Sequence, residues 1–265
     1  MYYPIQIPSI DNAFRSHVNY SEEPIPSLSG FVICVWTMQP YAPTHEQEKH
    51  IVQDLVLIDG CSELVFSYAS KNVVFAAPSM TKTAYDETTN TDGRYIGIKF
   101  KPGAFTQLTG LGASHIDGRY LRLEHIDSSF CPSLLAGLSF EQSKQWLIDY
   151  VAQWITAHEP NRYVSLFDRL VLHPPTTTEQ IYAHYDLSPR QCQRLFKHWF
   201  NLTPQMVLVI VRFHHCLTLL TQGQVLPNDM LELIQFSDQS HFIREIKRYC
   251  GFTPYQLLQK LASGD

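Results

Sequence analysis

Two sets of side chains have the types and spacing to read a nucleic acid. Arg190, Gln193, Arg194 and Lys197 form one, and Gln239, Ser240, His241, Arg244 and Lys247 the other; each stands in a stretch with helical periodicity. Arginine or glutamine near the N-terminus of a helix can make paired hydrogen bonds to guanine or adenine edges in the major groove. Arg190, Gln193, Gln239, Ser240 and His241 have the position for that. Arg194, Lys197, Arg244 and Lys247 lie further along and suit phosphates, and the helix start at Ser188 and Gln191 offers N–H groups to the same anions.

The elements that position these side chains repeat. Arg194-Leu195-Phe196-Lys197 superposes on Arg244-Glu245-Ile246-Lys247 at an offset of 50, which also brings Thr203-Pro204 onto Thr253-Pro254; Leu187-Ser188 falls on Phe236-Ser237 at an offset of 49. Each copy reads as a short helix, a tight turn, a second helix with a polar cap, and a Thr-Pro start for the next, which is a helix-turn-helix unit. In the first copy Thr176 with Glu179 and Ser188 with Gln191 have the form of capping boxes, and Pro189 takes the first helical position. Cys192, Leu195, Phe196 and Trp199 make the apolar stripe of the second helix. In the second copy Asn228 is the candidate cap for a helix over 229–234, and Ser237 or Asp238 for one over 239–249, with Phe242, Ile246 and Tyr249 packing. Between the copies, the apolar run from Pro204 to Thr221 predicts a buried helix. If it holds the reading helices about 34 Å apart, both can enter successive major grooves. The competing reading has Arg194 and Arg244 buried in salt bridges that tie each unit to its neighbour.

Ahead of this tail the chain is of another kind. Runs rich in β-branched and aromatic residues over 31–37, 54–58, 63–68, 72–75 and 94–100 are separated by polar, Pro or Gly segments, as in an antiparallel sandwich or barrel. A short helix is expected over 104–108. Ser139 with Gln142 predicts the cap of a four-turn helix carrying Trp146, Leu147, Tyr150, Val151, Trp154 and Ile155, which either packs on its own sheet or pairs with a second chain. The chain thus reads as α+β: a β domain over 1–130, a linking helix region over 131–162, and an all-α domain over 163–265.

Composition narrows the function. The 265 residues are 45% hydrophobic and 17% charged, enough for two compact globular domains, and no apolar run is long enough to span a membrane, so a cytoplasmic chain with no membrane partner is expected. Residues 1–162 hold 11 Lys and Arg against 17 Asp and Glu, and residues 163–265 hold 9 against 8, so the tail is near neutral and bulk charge does not announce DNA. The six cysteines stand singly and read as buried thiols. No tight set of metal ligands occurs, so no metal or cofactor is expected; His45 and His50 with Glu46 and Glu48 read as a solvated loop, and His214-His215 as no site. No nucleophile motif supports catalysis. An apolar cavity for a small effector, lined by Val65, Phe66, Tyr68, Ile96 and Ile98, is the one site the β domain suggests, against the alternative that these residues fill the core.

The tail resembles the AraC-type DNA-binding domain through Phe236-Ser237-Asp238-Gln239-Ser240-His241-Phe242, Arg244, Lys247 and Gly251-Phe252-Thr253-Pro254, and in the first copy through Leu187-Ser188-Pro189-Arg190, Arg194-Leu195-Phe196-Lys197, Leu202-Thr203-Pro204 and Val211-Arg212-Phe213. It departs where Asp186, Gln235 and Asn201 replace a usual glycine and Cys216 a usual alanine. The front half is similar to the cupin-like sensor domains that precede such tails, through residues 59–66 and 97–104. The resemblance implies a transcription regulator with double-stranded DNA as partner, modulated by a small-molecule effector or by homodimerisation, with RNA polymerase a further candidate partner. The alternative from another class is a barrel enzyme or small-molecule carrier whose helical tail is only a scaffold.

Overall fold

The computed structural model describes residues 2–4, 18–41, 51–76, 85–90, 93–116, 120–172, 175, 177–223, 240, 243–244, 247–248, 251–253 and 255–256. Eight strands are present among them: β1 (Val18–Glu23), β2 (Val32–Pro40), β3 (Ile51–Val56), β4 (Ser62–Ser67), β5 (Asn72–Ala76), β6 (Tyr85–Asn90), β7 (Tyr95–Phe100) and β8 (Tyr120–Arg122). Six form one sheet in the order β1-β2-β7-β4-β5-β8, and β3 pairs with β6; every pairing is antiparallel. The expected strands all appear with shifted ends, and β1, β6 and β8 are additions.

Strand alternation sorts the large sheet into two faces. Val35, Ile98 and Leu64 are cross-strand neighbours, and with Phe66, Ile96 and Phe100 they make a core against the helix α2 (Phe140–Ile155), which contributes Leu147, Val151 and Ile155. Ser139 and Gln142 cap α2 reciprocally, as predicted. The apolar side of this helix packs on its own sheet, with Leu147, Val151 and Ile155 buried and Trp146, Tyr150 and Trp154 partly so. The second face carries Cys34, Trp36, Glu63, Val65, Gly97 and Lys99 in register. Gly97 is obligatory there, because the Trp36 indole lies flat on it and a Cβ would come within 1.9 Å of Trp36 Cε2.

After β7, α1 (Ala104–Thr109) lies close to its predicted position. The tail contributes α3 (Leu166–Leu172), α4 (Thr178–Tyr185), α5 (Pro189–Phe200) and α6 (Pro204–Thr221). Its core is not private. Leu166, Phe167, Phe196, Phe200, Leu202, Val207, Ile210, Val211 and Phe213 form one cluster with Tyr2, Ile33, Cys34, Leu57, Ile58 and Cys61 from the front half. Polar ties reinforce it: Lys101 pairs with Asp168 at 2.5 Å, the Tyr2 amide donates to the same carboxylate at 2.5 Å, and His214 donates through Nε2 to the Ile58 carbonyl at 2.9 Å.

Candidate nucleic-acid interface

In the first unit, α4 and α5 are joined by the three residues 186–188. Asp186 turns the chain in the left-handed region (φ 52°), a conformation that aspartate tolerates better than most residues. Ser188 then caps α5: its hydroxyl accepts the Gln191 amide at 3.4 Å while Gln191 Oε1 accepts the Ser188 amide at 3.1 Å, and Pro189 opens the helix. Thr176, the predicted cap, lies outside the described residues; the residue before α4 is Thr177, and it makes no side-chain cap bond. The apolar stripe of α5 packs inward, with Cys192, Phe196 and Phe200 buried and Leu195 and Trp199 half-buried. Burial pushes the Cys192 thiol up to about 11. Cys34 and Cys61 are buried too, but Cys131 is exposed, a departure from the expectation of buried thiols.

Opposite that stripe, Arg190, Gln193, Arg194 and Lys197 are all exposed, at the i, i+3, i+4, i+7 spacing that puts them on one side of a helix. No ion pair holds Arg190, Arg194 or Lys197 among the described residues. Arg194 is therefore not the buried tie of the competing reading. Ser188 and Gln191 are exposed and hydrogen-bonded to each other in the cap of α5. The C-terminal end of α5 meets the β domain: the Trp199 carbonyl accepts from Thr106 at 3.4 Å, Phe200 lies by Gly103 and His198 by Gly112. The N-terminal half, which carries the donors, is left open.

The second unit repeats the first in its described residues. Asn201 (φ 54°) and Gly251 (φ 77°), 50 residues apart, both turn left-handed, and their amides donate to the carbonyls of Lys197 and Lys247 at 3.0 and 2.9 Å. Thr203 and Thr253 then cap the next helix, accepting the amides of Met206 and Gln256 at 3.1 and 3.2 Å. Ser240, Arg244 and Lys247 are helical and exposed, so Arg244 too is no buried tie, while Ile243 packs against the core shared with the front half. Gln239, His241, Gln235, Cys216's side chain and the caps expected at Asn228 and Ser237 or Asp238 lie outside the described residues, as do His45, Glu46, Glu48 and His50.

Of the five residues expected to line an effector cavity, four share one core cluster and Val65 stands apart from them. Phe66, Ile96 and Ile98 are fully buried in the core under α2, Tyr68 donates to the Leu138 carbonyl at 3.1 Å, and only Val65 lies on the second face, because neighbours in a strand point oppositely. What sequence reasoning missed is a buried charge cluster on that face. Lys99 Nζ lies 3.2 Å from Asp59 Oδ2 and 3.1 Å from Glu63 Oε1, and Trp36 donates its indole N–H to Glu63 at 3.2 Å. Burial opposes the Lys99 charge, yet Asp59 and Glu63 outweigh it and hold its pKa well above the ordinary value. Burial raises that of Glu63, against the pull of Lys99. A lone lysine in the apolar run 96–100 was the available signal, since such a charge needs a buried partner.

Comparison with known proteins agrees with this geometry. Residues 182–260 match the family described as "Helix-turn-helix domain", and residues 21–122 a "Domain of unknown function (DUF6597)". The tail is thus similar to helix-turn-helix domains and the front half to that second family, each match covering less than half of the chain. The virulence regulon transcriptional activator VirF of Shigella flexneri is 43% identical over 54 residues, which is 20% of this chain and 21% of VirF, and VirF of Shigella dysenteriae matches equally. The chain therefore spans about a fifth of the length of these curated relatives. Among solved structures, ToxT from Vibrio cholerae O395 aligns with a TM-score of 0.45 and 11% identity over 82% of this chain and 96% of ToxT, and unsaturated-fatty-acid-bound ToxT from strain SCE256 with 0.44 and 10% over 93% and 95%.

Proposed function

We propose that this chain is a sequence-specific, cytoplasmic DNA-binding transcription regulator. The observation that carries the reading is the α5 surface: three cations and a glutamine on one exposed side of a helix held by a helix-turn-helix core, with no ion pair among the described residues. Arg190 and Gln193 read base edges, and Arg194 and Lys197 meet phosphates; Ser240, Arg244 and Lys247, with Gln239 and His241, do the same in the adjacent groove. Its organisation follows the division into a β domain over 1–130, a linking region over 131–162 and a DNA-binding domain over 163–265, with no catalytic role. The front half modulates DNA binding, through a small effector meeting the second face near Val65 and Trp36 or through homodimerisation, and RNA polymerase is the further partner.

A salt titration tests this. Affinity for genomic fragments retained by the purified protein should fall steeply and log-linearly with salt concentration, as release of counterions from contacted phosphates requires. A slope near zero would leave the tail as a scaffold.

A further inference from the structure

The buried loop 57–61 between β3 and β4 touches both halves of the molecule. On the tail side, its Ile58 carbonyl accepts from His214 of α6 at 2.9 Å, and its Asp59 carbonyl accepts the Tyr2 hydroxyl at 3.0 Å while the Tyr2 ring packs on Phe167 and His214. Gly60, left-handed at φ +73°, sits against Phe167 and Leu202, where an added Cβ would already be in contact. On the sheet side, the Lys99 ammonium contacts two carboxylates that are not equivalent. The Asp59 side chain is 5% exposed and holds the loop, its second oxygen accepting the Cys61 amide at 2.8 Å. The Glu63 side chain is 18% exposed on the second face, its second oxygen taken by Trp36. Both carboxylates draw on the Lys99 ammonium where water is scarce, so whatever satisfies Glu63 changes how firmly Lys99 holds Asp59.

We propose that Lys99 is a positioning residue that couples the second face of the sheet to the seating of α6 and, through it, to the DNA-reading helix. A group that neutralises or occupies Glu63 releases Lys99 to Asp59, tightens the 57–61 loop and fixes α6 against it. The inference deepens the function proposed above and rests on it for its consequence, but the coupling itself can be read without DNA. The test uses the full chain and the Glu63→Gln variant, which keeps side-chain shape, removes the charge and touches no residue of α6. Amide hydrogen exchange in α6 and in the loop should slow at least threefold while exchange in β1 stays unchanged, and affinity for the retained genomic fragments should shift at least threefold. Asp59→Asn should speed the same amides, and Ser67→Ala, on the same face away from Lys99, should move none of them. Exchange that changes uniformly through the chain, or not at all in Glu63→Gln, overturns the coupling. If the parent binds no DNA, the functional reading falls and the exchange measurement alone decides this one.

Discussion

Arg190 extends from the first turn of α5 with no ion pair among the described residues, whereas Lys197 lies two turns on, 3.5 Å from the Asn201 carbonyl at the helix end. That difference in position predicts a difference in kind. Arg190→Ala should weaken the preferred site by about 1–3 kcal/mol and relax base choice, while Lys197→Ala should weaken all sequences alike and lower the salt slope by about one; fluorescence anisotropy on matched and scrambled duplexes separates the two. His214 permits a second prediction. Burial depresses its pKa to about 4 from an ordinary 6.5, so between those values the unfolded chain binds more protons than the folded one. The stability its neutrality contributes is complete above pH 6.5 and is lost as pH falls towards 4, about 2 kcal/mol of it by pH 5. His214→Gln, which keeps a donor for the Ile58 carbonyl but cannot titrate, should show a urea midpoint that falls less between pH 7.5 and pH 5 than the parent's. The exposed polar side of α5 was legible in the sequence because polar residues opposite an apolar stripe are dictated by helical geometry alone. The Lys99 cluster and the buried place of His214 were not, because both depend on partners 40 and 156 residues away.

At the scale of elements, what the sequence disclosed follows the strength of the local signal. α2 and α5 announced themselves through reciprocal caps that fix a helix start without help from the rest of the chain. β1 and β6 did not, since Val18–Glu23 and Tyr85–Asn90 are largely polar and pair as strands only because a neighbour is present; β8 is three residues long. Ser188→Ala should fray the first turn of α5 and cost about 1 kcal/mol, visible as faster amide exchange at residues 189–192 and weaker DNA binding. The turn between α5 and α6 gives the opposite sign. Asn201 adopts the left-handed conformation for which it is well suited, but it is 2% exposed and neither side-chain polar atom has a hydrogen-bond partner among the described residues. Asn201→Gly should therefore stabilise the chain by about 1–2 kcal/mol, since it removes two buried orphan groups and the cost of a left-handed side chain, and raise Tm by several degrees. Gly251 at the equivalent turn of the second unit already makes that choice.

For the whole molecule, the decisive feature is that the core under the first reading unit is built from both ends of the chain. Phe167, Phe200 and Leu202 share their contacts with Leu57, Ile58 and Tyr2, so neither half can lose its fold without exposing apolar surface of the other. Two domains joined only by a linker would unfold independently; these should unfold together. Under increasing urea, hydrogen exchange in peptides from β2 and β7 should report the same opening free energy as peptides from α5 and α6. Phe200→Ala, on the tail side of the shared core, should lower both by about 3–5 kcal/mol. Separate transitions, with the tail opening first, would mean that the shared cluster is a contact and not a core. The coincident result has a functional corollary through linkage. A ligand that binds only the folded tail stabilises whatever unfolds with it, by about 2.7 kcal/mol at a hundredfold excess over Kd. Cognate DNA should consequently protect β2 and β7, strands outside the helical tail, and a small molecule that stabilises the sheet should in turn stabilise α5 and α6.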